Sequence, residues 1–327
     1  MLKKLAGATF GAAFAASLSA GAALAQTSWD MPTPYGDTNF HTMNIAEFAN
    51  DVKEATDGGL TITIHSAGSL FKHPEIKDAV RKGLVPIGEV LISRLSNENA
   101  IFGIDSVPFV ATSYDDAKKL YDASKPELEK VLDEQGLKLL FTVPWPPQGL
   151  YTTKEIATVD DLKGLKMRAY NAATERLAQL AGSVPTQVEV PDLPTAFSTG
   201  RVEAMVTSPS TGANSKAWDY VNVYTDTQAW LPKNMVIVNK ASFEGLPEDQ
   251  QKAVMEAAAE AETRGWEASR KETEEKTKML EDNGMTVAQP SDELMTGLKE
   301  IGSKMADEWS ETAGEAGKKV LDAFKSM

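Results

Sequence analysis

Apolar positions along this chain switch between a period of two and a helical period, and the switches mark its elements. Thr27 to Met31 reads as a strand. From Asp37 through Thr56 the apolar residues Ile45, Phe48, Ala49 and Val52 fall near helical spacing, which predicts a helix ended by Gly58 and Gly59. Leu60 to Ile64 then alternates as a second strand. Strand, helix, strand units build parallel sheets with covering helices, and ligands gather at the carboxyl ends of their strands. Next come a helix from Pro74 to Lys82 closed by Gly83, a strand from Ile87 to Ile92, and an apolar stretch from Phe102 that ends in Val107-Pro108-Phe109. One or two helices follow over Tyr114 to Glu134, and a strand over Leu137 to Val143. That strand runs into Trp145-Pro146-Pro147, whose prolines continue neither sheet nor helix, so a crossing between lobes is expected there.

A second set of units begins at Leu150. Leu150 to Thr153 and Leu165 to Ala169 read as extended, Ala173 to Ala181 as a helix ending at Gly182, and Thr186 to Val190 as a strand. Leu193 to Thr199 is a helix closed by Gly200, and Ala204 to Thr207 a short buried strand. Asn234 to Asn239, apolar with a polar border, suits a return to the first lobe. Two crossings make two lobes with a cleft between them. Pro247 to Asn283 is helical almost without interruption, with Pro247 suited to a first turn and Gly284 to a stop. At 1.5 Å per residue it would span ~54 Å, more than one lobe needs. Its apolar residues do not sustain heptads, so a spine lying across both lobes is expected rather than a coiled coil, with Gly265 as a candidate bend. Asp292 to Phe324 reads as terminal helices.

The expected organisation is therefore an α/β, two-lobed binding-protein fold with a ligand cleft between the lobes and a long helix, residues 247–283, crossing both. Lobe I takes residues 26–147 plus 236–270, and lobe II residues 148–235 plus 271–327. Residues 1–25 have the form of a secretory signal: Lys3 and Lys4, a small-residue apolar run, then Ala23-Leu24-Ala25 as a cleavage site before Gln26. An exported protein of the periplasm is expected. Loss of Lys3 and Lys4 takes the formal charge from −14 to −16, which disfavours nucleic acid and anionic lipid as partners. With no cysteine the chain has neither disulfides nor thiol chemistry. His41, His65 and His73 lack metal-ligand spacing, and no nucleophile elbow, phosphate loop or dinucleotide fingerprint is present, so neither a metal, a cofactor nor catalysis is expected.

One residue stands out against this background. The segment Asp160 to Asn171, DDLKGLKMRAYN, delivers Arg168 to the end of a short apolar strand. A planar guanidinium grips a carboxylate through paired hydrogen bonds that a lysine does not reproduce. At a strand end in an interlobe cleft it needs an anionic partner, which points to recognition of an acid.

Taken together, several phrases resemble the extracytoplasmic solute-binding proteins of TRAP transporters. They are Gly68-Ser69-Leu70 followed by Glu75, Val80 and Gly83; Val107-Pro108-Phe109; DDLKGLKMR; PTAFSTG; VEAMVTSP; AWLPKN; and the long helix. Each is weak alone, but their order and spacing cover essentially the whole mature chain. The resemblance implies a protein that closes over a small organic acid and passes it to the small and large integral membrane subunits of the transporter. It implies that Arg168 binds the carboxylate, helped by Asn171. Several relatives carry a second basic residue on the strand that here reads Gln148-Gly149-Leu150-Tyr151-Thr152, where none is basic. The expected ligand is a monocarboxylate with an aromatic or apolar body.

Trp145, Tyr170 and Trp230 are candidate stacking faces. Thr207 and Ser208 close a strand and offer hydroxyls, while Gln148 and Asn234 offer amides. Glu89 could accept a ligand hydroxyl or pair with Arg94, and Tyr35, just past the first strand, could reach the mouth. These polar groups keep a sugar acid, uronate or aldonate, as the second ligand class. An exported hydrolase or lyase acting on a carboxylated substrate, and a chemoreceptor co-binding protein, are the readings of other classes. A monomer is the expected state for a shuttle that presents one cleft to a membrane partner.

Overall fold

The computed structural model describes residues 26–327; the leader expected over residues 1–25 lies outside the described residues. Residues 26–327 form three sheets. β1 (Thr27–Pro32) and β2 (Leu60–His65) pair in parallel, joined by α1 (Phe40–Ala55). α1 starts three residues later than the apolar period suggested, because the Asn39 side chain accepts from the His41 amide and caps it there. After α2 (His73–Arg81) comes β3 (Ile87–Leu91), buried at every position, and then two 3-10 turns, Ile92–Leu95 and Ala100–Ser106. α3 (Tyr114–Asp133) is one helix that continues through Pro126. β4 (Leu137–Pro144) is an edge of the second sheet, whose centre is the returning strand β10 (Lys233–Asn239), antiparallel to both β3 and β4.

The third sheet has six strands. Its early members are β5 (Gly149–Thr152), β6 (Lys166–Ala169), β7 (Val184–Gln187) and β8 (Ala204–Thr207), with α4 (Ala172–Leu180) and α5 (Leu193–Ser198) between them. α6 (Pro209–Asn214) and β9 (Val223–Thr225) follow, then β10, α7 (Lys240–Glu244), α8 (Glu248–Asp282), β11 (Thr286–Ala288) and α9 (Asp292–Lys325). The strand order is β11-β9-β5-β8-β6-β7, with β6 parallel to both β7 and β8. β7 lies nearer the N-terminus than the strand expected over 186–190, and Val190–Asp192 forms a 3-10 turn instead. That turn carries Glu189 at its cap position.

α8 joins the two parts of the molecule, packing on α1 and β4 along one stretch and on α6 and β11 along another. It also closes the open edge of β4. The Glu262 carboxylate accepts the Thr142 amide at 2.9 Å, and the Trp266 indole donates to the Thr142 carbonyl at 3.2 Å. Backbone groups on a sheet edge that would otherwise be buried without partners are thereby satisfied. Gly265 has a different reason from the expected bend. The helix continues through it, and a side chain there would run into the Val143 methyls and the Asn44 amide. The absence of a Cβ lets the helix approach the sheet. α9 is interrupted at Gly314, whose φ of 55° is the left-handed conformation glycine tolerates.

Candidate functional site

A cavity opens where turns from the second and third sheets face each other. Its empty volume, including the part open to solvent, is about 390 Å³. Its wall includes Tyr35, Trp145, Gln148, Arg168, Tyr170, Thr207 and Ser208, all singled out from the sequence, together with His73, Arg94, Glu189 and Thr211.

Arg168 lies on β6, opposite Met205 of β8 and Thr186 of β7. It is 2% exposed. Its Nε donates to the Val188 carbonyl at 3.0 Å, and its guanidinium carbon stands 4.8 Å from the centre of the Tyr170 ring. Among the described residues no carboxylate lies within ion-pair distance of it, and its two terminal nitrogens make no protein hydrogen bond. Burial lowers its pKa from the ordinary value. A desolvated cation with two unengaged terminal nitrogens on a cavity wall has the chemistry to grip a carboxylate.

Local chemistry explains why the neighbouring side chains sit as they do. Asn171 ends the extended run and caps α4, its Oδ1 accepting from the Thr174 amide at 2.8 Å while its Nδ2 donates to Ser93 Oγ at 2.8 Å. Those bonds occupy both ends of the amide, and Asn171 is not on the cavity wall. Ser208 similarly caps α6, its hydroxyl accepting from the Thr211 amide at 3.0 Å, with Pro209 as the first helical residue. Tyr170 donates its hydroxyl to Gln148 Oε1 at 3.1 Å, and Gln148 Nε2 donates to the Pro146 carbonyl at 2.8 Å. The Tyr35 and Trp145 rings meet edge to face at 5.0 Å.

Asn234 and Glu89, expected as ligand contacts, stand one layer behind the wall. Asn234 Oδ1 accepts from the Trp145 indole at 2.9 Å and from the Tyr35 hydroxyl at 3.3 Å, while its Nδ2 donates to Glu89 at 3.0 Å. Glu89 also accepts from the Thr33 hydroxyl at 2.6 Å, and His41 Nδ1 lies 3.6 Å from it. Burial pushes the Glu89 carboxyl up to about 7, against the opposing pull of the Thr33 and Asn234 hydrogen bonds. Burial likewise holds His41 well below the ordinary histidine value. Glu89 does not pair with Arg94. Trp230 is buried in the apolar core among Leu150, Val206 and Leu298, away from the cavity.

Arg94 instead reaches Glu189. Arg94 Nη2 lies 2.9 Å from Glu189 Oε1, and its Nη1 donates to the Tyr170 carbonyl at 2.8 Å. His73 Nε2 accepts the Leu91 amide at 3.1 Å, so the unprotonated nitrogen of its ring is fixed. Burial, then the charges of Arg94 and Arg168, hold its pKa well below the ordinary value and keep it neutral. The charged groups on the wall are thus two guanidiniums and one carboxylate. One positive charge is left over, and it is on Arg168.

An α/β scaffold with a half-open cavity, a buried arginine without a protein counter-charge and aromatic walls has the features of a solute-binding protein. The model of the DctP family, bacterial extracellular solute-binding protein family 7, matches residues 34–312, and the chain belongs to this family, the extracytoplasmic solute receptors of TRAP transporters. Such receptors bind small organic acids and work with membrane components. A solute-binding protein of Albidiferax ferrireducens is 24% identical over 275 residues, 82% of this chain and 80% of that protein. Among solved structures, DctP7 of Bordetella pertussis, an extracytoplasmic solute receptor binding pyroglutamic acid, superposes with a TM-score of 0.90 at 48% identity, covering 91% of this chain and 99% of the other. DctP6 of the same organism, likewise binding pyroglutamic acid, gives 0.91 at 42% identity over 92% of this chain and 100% of that one. These matches establish the two-lobed fold.

Proposed function

We propose that this protein captures a small cyclic monocarboxylate of the pyroglutamate type in the periplasm and delivers it to the membrane subunits of a TRAP transporter. The observation that carries the reading is Arg168, buried on the cavity wall with two N–H faces and no protein carboxylate to neutralise it. A bidentate bond to one ligand carboxylate satisfies both the charge and the donors. The wall balance of one surplus positive charge matches a monoanion, and the Tyr35, Trp145 and Tyr170 rings suit a compact ring-shaped body. The likeness to two pyroglutamate receptors at 42% and 48% identity supports the same ligand class.

In this reading lobe I comprises residues 26–147 plus 236–270 and lobe II residues 148–235 plus 271–327. The ligand touches Arg168 from one and Tyr35 from the other, so binding energy shifts the population toward the closed form. The receptor acts as a monomer and is exported by its N-terminal leader.

Isothermal titration against pyroglutamate, benzoate, glucuronate and succinate tests the proposal. Pyroglutamate is expected to bind most tightly. Tighter binding of glucuronate would assign the site to sugar acids, and tighter binding of succinate would contradict the single-charge reading.

A further inference from the structure

The cavity holds a second guanidinium, which by itself would invite a second carboxylate. Arg94 comes from the turn after β3, and Glu189 from the turn after β7, so their ion pair joins chain segments from two different sheets at the wall. Glu189 is also the only acidic side chain on that wall among the described residues. Its Oε2 lies 3.4 Å from Arg94 Nη1 and 3.9 Å from His73 Nδ1. Because His73 is neutral, it adds no charge to the balance.

Building on the monocarboxylate reading, we propose that Glu189 is a specificity-determining residue that limits the ligand to one negative charge. Its carboxylate neutralises Arg94 and presents negative potential to any second anionic group that enters. A second carboxylate brought out of water beside the partly buried Glu189 carboxylate is disfavoured, whereas an amide or lactam group of the same size is not. Selectivity of this kind comes from a repulsive element as much as from the attractive one at Arg168. The chemical class accepted is a monoanion whose far end is neutral. The class refused is a dicarboxylate of equal size, although the cavity has a second arginine that could have bound it.

The test uses succinate and its monoamide, succinamate, which share a skeleton and differ in one charge, with pyroglutamate as reference ligand. The wild-type protein is expected to prefer succinamate over succinate, and Glu189→Gln to gain succinate affinity by roughly tenfold or more while keeping the shape of the Arg94 contact. The double variant Arg94→Met, Glu189→Met removes both charges and is expected not to gain. An equal gain in the double variant would mean that removing Glu189 merely opened space, and would overturn the inference. No gain in Glu189→Gln, with pyroglutamate still bound by the wild type, would overturn it too while leaving the monocarboxylate reading intact. Failure of the wild type to bind pyroglutamate or succinamate would overturn both.

Discussion

Arg168→Met is expected to weaken acid binding strongly while leaving the ligand-free protein at least as resistant to unfolding. Removing one partner of a desolvated charge pair costs about 2–5 kcal/mol, so affinity for the preferred acid should fall roughly 30-fold to several thousand-fold. The stability effect has the opposite sign. In the ligand-free protein the guanidinium is buried without a counter-charge, and burial already works against its charged form. Replacing it by an apolar chain of similar length relieves that desolvation, which is worth several kcal/mol. It loses the bond to the Val188 carbonyl, worth about 1 kcal/mol. Titration and thermal unfolding of the same variant separate the roles. A variant that loses both affinity and stability would make Arg168 a structural residue, and one that keeps its affinity would remove it from the site.

Glu89 gives a large expected pH effect. Its carboxyl titrates near 7 in the folded chain against an ordinary value of 4.5, because burial disfavours the charged form. Between those values the folded state holds a proton that the unfolded state has released. The stabilisation is therefore complete below pH 4.5 and is lost as the pH rises through 7. The shift corresponds to about 3 kcal/mol. Glu89→Gln keeps a polar side chain opposite Thr33 and Asn234 but has nothing to ionise. Chemical denaturation at pH 4.5 and pH 8 should show the variant gaining about 3 kcal/mol on the wild type at the higher pH. An unchanged difference between the two proteins would mean that Glu89 stays solvated or is paired with a protonated His41.

The hydrophobic periods marked most of the strands and the longer helices. β1, β2, β3, β4, β6, β8 and β10 all lie at or within a few residues of the strands expected. β9 and β11 were not legible, because strands of three residues give too little alternation to rise above loop composition. α6 was missed although Ser208-Pro209 is a capping signal followed by a suitable first helical residue. The same kind of signal marks Asn171, with Thr174 three residues on, as a helix cap. Its side chain is committed to local structure, so a polar type at a strand end did not by itself mean a ligand contact.

Strand ends did bring Arg168, Tyr170, Thr207 and Ser208 to one wall. Arg94 was given the wrong partner, Glu89, and Glu189 escaped notice, because each lies in a turn and the two meet across 95 positions of the chain. Sequence spacing carries no information about such a pair. Glu89 and Asn234 were placed in the right region but one layer too far forward. A buried strand such as β3 turns successive side chains to opposite faces, and only the fold says which face meets the cavity. Trp230 is the same problem in an aromatic: its size fits a stacking platform and an apolar core equally well, and the core took it.

The central claim is that one ligand carboxylate sits on Arg168, and a crystal structure of the wild-type protein with pyroglutamate tests it most directly. The account predicts ligand density in the cavity, with the carboxylate oxygens about 2.7–2.9 Å from the two terminal nitrogens of Arg168 and the ring against Trp145 and Tyr170. A carboxylate bound to Arg94 in place of Glu189, with Arg168 contacting only protein, would contradict it.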